Sequence, residues 1–174
     1  MRALEIGPGL NPVNHQWTIM DMVKNPGVDI IHDIRKRPWP LPDSKYDLIY
    51  MSHILEHVPW FDTVATLKEA WRLLAPNGII EIWVPDFAKI VQAYLDNKCG
   101  DTWRKFNPNG DVMTWVNGRI FTYGPNDENW HRAVFDAVSL SRQLLEAGFR
   151  KTMHLKKPRG YDHGKINLGV GAVK

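Results

Sequence analysis

Residues 4–12, Leu4-Glu5-Ile6-Gly7-Pro8-Gly9-Leu10-Asn11-Pro12, carry an apolar strand straight into a Gly-Pro-Gly turn. Glycine has no side chain and tolerates positive φ, so such a turn lets a ligand lie against bare backbone. Glu5 puts a carboxylate at the strand's end, where it would repel pyrophosphate and attract an ammonium or a ribose hydroxyl. The dinucleotide fingerprint needs three glycines at G-x-G-x-x-G opening a helix, and here Pro12 stands at the third position. A nicotinamide oxidoreductase is therefore disfavoured. A lone G-x-G also has a plainer reading, as a tight strand-to-loop turn.

With 174 residues the chain suits a single domain, long enough to bury a full core. Hydrophobic content of 44% and charged content of 24% are ordinary for a globular protein and argue against disorder or coiled coil. No apolar run approaches the roughly 20 residues that span a bilayer, and Glu5 interrupts any signal-peptide core. The expectation is a cytoplasmic protein with no membrane partner. Cys99 is the only cysteine, which excludes an internal disulfide or thiolate cluster and fits a reducing compartment. A net charge of +3 and a pI near 9.0 allow an anionic partner without requiring one.

Along the chain, Trp17 to Met20 reads as a strand ending at Asp21, and Val28 to Ile31 as another ending at His32-Asp33. Lys24-Asn25-Pro26-Gly27 is a turn signal, and the prolines between Arg35 and Asp43 exclude a helix there. Tyr46 to Met51 is a further apolar run, leading into Ser52-His53-Ile54-Leu55-Glu56-His57-Val58-Pro59 as a loop or helical turn. Val64, Leu67, Trp71 and Leu74 recur at helical spacing until Pro76-Asn77-Gly78 stops the pattern. Gly78 to Pro85 follows as a strand rich in β-branched residues, and strand, helix, strand implies a parallel sheet.

Together these residues resemble the class I S-adenosylmethionine-dependent methyltransferases, within them the short bacterial and phage branch that is methyltransferase-type-11-like. Leu4 to Gly9 is similar to that family's glycine loop, Asp21 to its acid after the second strand, and His32-Asp33-Ile34 to its adenine-side acid. Tyr46 to Ile49 with Ser52 to Val58 resembles the fourth strand and the segment after it, and Leu67 to Gly78 the next helix and turn. Leu140 to Phe149 looks like the last helix, with Lys151 to Leu155 and Ile166 to Val173 as the terminal hairpin. The implied fold is α/β, a Rossmann-like sheet, mostly parallel with a C-terminal antiparallel hairpin.

The resemblance implies S-adenosyl-L-methionine as cofactor. Glu5, Gly7 and Gly9 would pass beneath its methionine and ribose, with Pro8, Leu10 and Asn11 in the same loop. Asp21 would take the ribose hydroxyls, since a carboxylate is a natural acceptor for a vicinal diol. Met22 would lie beside the adenine, Asp33 would accept from its amino group, and Ile34 would give it an apolar face. Met51, Ser52, His53 and Leu55 complete the expected cofactor wall. Without the resemblance Asp33 reads as a turn or cap residue, and Asp47 reads as structural in either case.

Methyl transfer from a sulfonium is an in-line displacement, so the protein has to position the acceptor, exclude water and remove a proton. Histidine is the natural proton acceptor near neutral pH, which makes His131 and His53 the candidate catalytic residues, with Tyr123 and Arg132 beside His131. His131 has an alternative reading as a cap or buttress of the helix after Ala137, and His57 reads as a surface residue or backbone partner. No metal site is expected: His53 and His57 stand at i, i+4, but Glu56 is adjacent to the second histidine, unlike H-E-x-x-H.

The N-terminal half is short of crossover helices, because a parallel connection normally takes a dozen or more residues. Its sheet then needs another cover. Residues 87–130, an aromatic-rich insertion with Phe87, Ile90, Tyr94, Trp103, Phe106, Trp115, Phe121 and Tyr123, are the expected cover and substrate lid, or else a satellite hydrophobic cluster. Exposed apolar area and eight tryptophans also motivate a homodimer. The functional expectation is methyl transfer to a small-molecule or glycan-type acceptor. A nucleic-acid methyltransferase, suggested by the basic stretch Lys156 to Lys165, and a non-catalytic cofactor-binding module are the alternatives.

Overall fold

The computed structural model describes residues 1–100, 105–122, 124 and 129–174. Among these, one seven-stranded sheet is built from β1 (Ala3–Ile6), β2 (Thr18–Asp21), β3 (Ile30–Ile31), β4 (Tyr46–Ser52), β5 (Leu74–Pro85), β6 (Lys151–His154) and β7 (Asn167–Val173). The strand order is β3-β2-β1-β4-β5-β7-β6. The first five strands run parallel, and β7 lies antiparallel between β5 and β6. The expected mostly parallel α/β sheet with its C-terminal hairpin is thus present. The order reverses between β1 and β4, and ligands of open α/β sheets bind in the crevice beyond the strand ends at such a point.

Alternation along the strands sends one set of side chains to a single core. Leu4 and Ile6, Ile49 and Met51, Ile80, Ile82 and Val84, and Leu168, Val170 and Ala172 all join it. Helices α1 (Thr63–Leu73) and α4 (Ala137–Glu146) close that face with Leu67, Ala70, Leu73, Leu140 and Leu144. The alternate positions form a cross-strand row on the other face, Glu5 beside Tyr50 and Tyr50 beside Glu81.

Two boundaries differ from the sequence reading. The α4 helix starts at Ala137, before Leu140, because Asp136 accepts from the Ser139 amide while the Ser139 hydroxyl accepts from the Asp136 amide, a complete capping box. It ends ahead of Gly148, whose φ of 108° no ordinary residue adopts comfortably. Strand β5 begins at Leu74 and runs through the Pro76-Asn77-Gly78 stretch that reads as a stop. The ladder with β4 shifts register there, Asn77 takes φ 63°, and a Cβ on Gly78 would stand 2.9 Å from the Ala75 carbonyl. The helix therefore turns directly into an irregular strand.

Residues 7–17 and 22–29 join the first three strands with no described helix. Asp29 substitutes for one by pinning the β2–β3 connection: its carboxylate accepts from Ile19 N at 2.9 Å, and its own amide donates to Ile19 O at 3.0 Å. Among the described residues, the 87–130 insertion does not join the core that covers this half. Ile34, Trp39 and Leu41 from the proline-rich loop enter the main core instead, with Trp39 only 2% exposed. Helices α2 (Phe87–Leu95) and α3 (Val112–Ile120) pack on each other around a separate cluster of Ile90, Trp115 and Ile166. Of the aromatic set, Trp103 and Tyr123 lie outside the described residues. Strands β1, β2 and β4 are buried within the single chain, whereas Ile31 on the edge strand β3 is exposed. No helix among the described residues is long and apolar enough to cross a membrane.

Candidate active site

The glycine turn stands at the carboxyl end of β1, where Gly7 N donates to Met20 O at 2.8 Å and fixes the chain's exit. Gly7 and Gly9 take φ 69° and 61°. Their surroundings differ: a Cβ on Gly7 would lie 2.6 Å from the Ile54 side chain, whereas one on Gly9 would meet nothing within 4 Å. Gly9 therefore opens its backbone to a cavity of about 250 Å³, which Gly7, Asp21, Met22, Asp33, Ile34 and His53 also line. These are the expected ribose, adenine and methionine contacts, brought together on one wall.

The acids hold the loops that shape this cavity. Asp21 accepts from Gly9 N at 3.0 Å and from Val23 N at 2.9 Å, one amide on each oxygen, so each keeps a further lone pair. Asp33 is gripped by the Arg35 fork, with Nε 2.9 Å and Nη2 2.9 Å from its two oxygens. That guanidinium holds the Asp33 carboxyl below the ordinary carboxylate range. Asp47 accepts from the Arg2 amide and guanidinium, the structural role that its position suggests.

Glu5, Gly7, Pro8, Asn11 and Ser52 line a second cavity, of about 310 Å³. Glu5 is buried and accepts from Val13 N at 2.8 Å; burial raises its pKa to about 7 against the opposing pull of the Val13 and Asn14 amides. The remaining expected cofactor residues sit elsewhere. Met51 and Leu55 are fully buried in the main core, and Leu10 is 76% exposed; none of the three lines either cavity. The side chains of Met51 and Leu55 point into the core because the alternation of β4 and the turn after it use them for packing.

A third cavity, of about 420 Å³, adjoins the first. His53, His57 and Asn129 line both. Its far walls carry Glu56, Arg119, His131, Tyr161 and His163. The segment with His131 is stitched to the turn with Glu56, since Arg132 N and Ala133 N donate to Glu56 O at 2.7 and 3.1 Å. His131 Nδ1 lies 3.1 Å from Arg119 O, and His131 N donates to Phe121 O. His131 is thus tied to the end of α3 and does not cap α4, a task that falls to Asp136. Tyr123, expected beside it, lies outside the described residues.

His53 takes φ 53° and is held from both ring nitrogens. Nε2 lies 2.9 Å from Asn167 Oδ1, and Nδ1 lies 3.2 Å from Glu56 Oε1. Asn167 donates its amide nitrogen to Asp162, which leaves Oδ1 as an acceptor and makes His53 Nε2 the donor. Burial lowers the His53 pKa, but Glu56 and Asn167 outweigh it and leave the imidazole above its ordinary value. The Glu56 carboxyl is raised by burial and lowered more by His53 and the neighbouring imidazoles, ending below its ordinary value. For His131 burial dominates and pushes the imidazole down despite Glu56. His163 stacks on His53 with ring centroids 3.8 Å apart, and burial together with the charge of His53 brings it down to about 4. His131 and His163 are therefore neutral near pH 7.

Several of these residues escape a linear reading. Glu56 shows only as the neighbour of His57, and Tyr161, His163 and Asn167 belong to or follow a basic stretch that reads as a candidate nucleic-acid contact. Arg159 reaches back across the sheet to Glu81, with contacts of 2.7 and 2.6 Å, and this folds the stretch over the site.

Comparison with known proteins bears on the family and the fold. The sequence model of a family described as "Methyltransferase domain" matches residues 1–154. No curated protein matches the sequence. Similar solved structures include a methyltransferase from Thermotoga maritima described as a possible histamine N-methyltransferase, at 17% identity and TM-score 0.58, covering 99% of this chain and 82% of that one. An S-adenosylmethionine-dependent methyltransferase from Archaeoglobus fulgidus aligns at 14% identity and TM-score 0.58, over 99% and 86% of the two chains. The 1,6-didemethyltoxoflavin-N1-methyltransferase of Burkholderia thailandensis, solved with its substrate and S-adenosylhomocysteine, aligns at 14% identity and TM-score 0.56, over 99% and 70%. With the class I strand order, a glycine turn at the switch point and a family match over most of its length, the chain belongs to the methyltransferase-domain family.

Proposed function

We propose that the chain transfers the methyl group of S-adenosyl-L-methionine to an oxygen or nitrogen of a small polar acceptor, a sugar-type hydroxyl being the simplest case. The observation that carries this reading is the shared wall: His53, His57 and Asn129 face both the glycine-turn cavity and the adjoining polar one. A donor seated in the first and an acceptor in the second would meet across that wall. The backbone at Gly9, the Asp21 carboxylate, and Met22 with Ile34 suit a ribose and adenine, and no helix N-terminus follows the turn to favour a phosphate. The neighbours from Burkholderia thailandensis and Archaeoglobus fulgidus support the donor class.

When bound, the donor supplies an electrophilic methyl on a cationic sulfur. The chain's own residues do the rest. The acceptor's lone pair forms the new bond to carbon, the carbon–sulfur pair returns to sulfur, and the acceptor's proton leaves to a base. His131, neutral with Nδ1 bound to a carbonyl, has Nε2 available for that proton. His53, with both ring nitrogens engaged, orients neighbours. Phe106, Arg119 and Thr122 of the 87–130 insertion line the acceptor cavity, in keeping with a lid role. A cavity of about 420 Å³ fits a small molecule.

The test is transfer of a labelled methyl to a panel of sugars, amines and short oligonucleotides. Replacement of His131 by Asn should lower turnover of a cognate acceptor by roughly 10² to 10⁴ with melting temperature and donor affinity intact. Wild-type turnover in that variant would remove His131 from the chemistry.

A further inference from the structure

Glu56, His57 and His131 each bring one potential ligand atom to a common point, all within 4.8 Å of one another. Two atoms on one ion at about 2.1 Å can stand no more than about 4.2 Å apart, so a slight closing completes a coordination shell. We propose that these three residues bind a divalent transition-metal ion on the wall of the acceptor cavity, leaving coordination positions open to an acceptor oxygen or nitrogen.

The surroundings of each residue favour this use. His57 Nδ1 lies 3.3 Å from Trp130 O and His131 Nδ1 lies 3.1 Å from Arg119 O. A carbonyl only accepts, so each Nδ1 carries the hydrogen and each Nε2 keeps its lone pair, the arrangement that metal-bound histidines show. The rings stand nearly perpendicular, 78° apart with centroids at 5.0 Å. Glu56 is 1% exposed; His53 Nδ1 stands 3.2 Å from Oε1, and Oε2 has no hydrogen-bond partner among the described residues. A buried carboxylate oxygen without a partner is costly, and an ion at Oε2 would satisfy it. His53 Nδ1 approaches only Oε1, at 3.2 Å, which leaves Oε2 for an ion and makes His53 a positioning residue. The backbone bonds from Arg132 and Ala133 to Glu56 O hold the two ligand-bearing segments together.

Two imidazole nitrogens and one carboxylate oxygen suit zinc and its first-row neighbours, and disfavour magnesium or calcium, which take oxygen ligands. This set is absent from the sequence pattern because His131 is distant in the chain from His57. An ion here would hold the acceptor oxygen beside the shared wall and ease loss of its proton to solvent. His131 would then act as a ligand of that ion. The ion's part in acceptor activation rests on the methyl-transfer reading; the metal site does not.

Chelator-treated protein is titrated with Co²⁺, followed by visible absorption, and with Zn²⁺ by calorimetry. The wild type should bind one equivalent with the visible bands of a nitrogen- and oxygen-ligated Co²⁺ ion. His57→Ala and His131→Ala should each weaken binding by at least about 100-fold, and exposed His15→Ala should not. Glu56→Gln, nearly isosteric, gives the same reading should an alanine variant fail to fold. Failure of the wild type to bind Co²⁺, or equal affinity in the His57→Ala His131→Ala double variant, would overturn the site. S-adenosylhomocysteine calorimetry on the same samples separates the two readings: cofactor binding without metal binding removes the site alone, and metal binding without cofactor binding removes methyl transfer alone.

Discussion

Glu5 shows how one side chain serves two demands. It sits on the central strand with its carboxylate buried, accepting from the amide of Val13 and so closing the loop that follows the glycine turn. Its pKa of about 7 in the folded chain, against 4.5 ordinarily, makes stability depend on pH. Below about 4.5 both folded and unfolded chains hold the proton and the group costs nothing; from there to about 7 only the folded chain holds it, so stability falls as pH rises. Above about 7 the cost is complete, on the order of 3 kcal/mol. Glu5→Gln keeps an acceptor for Val13 and loses the titration. Melting curves taken between about pH 5 and pH 8 should therefore fall with pH in the wild type and run flat through Glu5's range in the variant, whereas parallel curves would show that Glu5 ionises without cost. At this scale the sequence is informative for residues whose task is local. The glycines and the acids at the strand ends announce themselves, because turn geometry and carboxylate chemistry act over a few residues. Met51 and Leu55, read as cofactor contacts, face the core, Met51 through the alternation of β4 and Leu55 through the turn that follows it.

Among the elements, the proline-rich loop between β3 and β4 does the work of missing helices. Trp39 carries it into the core; its indole Nε1 donates to Ile34 O at 3.0 Å, and its amide donates to Glu69 on α1 at 2.8 Å. Glu69 in turn meets Arg72, so the loop is fastened to the helix by charge as well as by packing. Trp39→Ala should cost about 3 to 5 kcal/mol, the range for loss of a buried large aromatic. It should also loosen the wall formed by Asp33 and Ile34. Thermal melting gives the first effect directly, and an unchanged melting temperature would show that the loop is not a cover. This element was hidden because three prolines signal only the lack of a helix, and nothing in the pattern says which side of the sheet Trp39 will meet. The start of β5 was hidden for the opposite reason: Pro76-Asn77-Gly78 is a strong turn signal, and the pairing with β4 overrides it. Strands β1, β2 and β4 and helix α1 were legible because their apolar periodicity agrees with their burial.

Across the whole molecule, the sheet order places the glycine turn at the switch point, and the proposed site gathers beyond the strand ends. The proposed donor side of that region is drawn from consecutive strand ends and follows from the order of motifs. The acceptor side is not, since His131, His163 and Asn167 arrive from distant segments through backbone pairing to Glu56, a stack on His53 and the Arg159–Glu81 bridge. Such meetings depend on tertiary contacts that no local pattern encodes. The account as a whole stands on the glycine-turn cavity being the donor site, with Asp21 as its polar anchor. Calorimetry with S-adenosylmethionine and S-adenosylhomocysteine on the wild type and on Asp21→Ala tests that directly. The prediction is one equivalent of either ligand in the wild type and binding weaker by about 1 to 3 kcal/mol in the variant, the scale for a lost charged hydrogen bond. No binding of either ligand to the wild type, or the same affinity in Asp21→Ala, would contradict it.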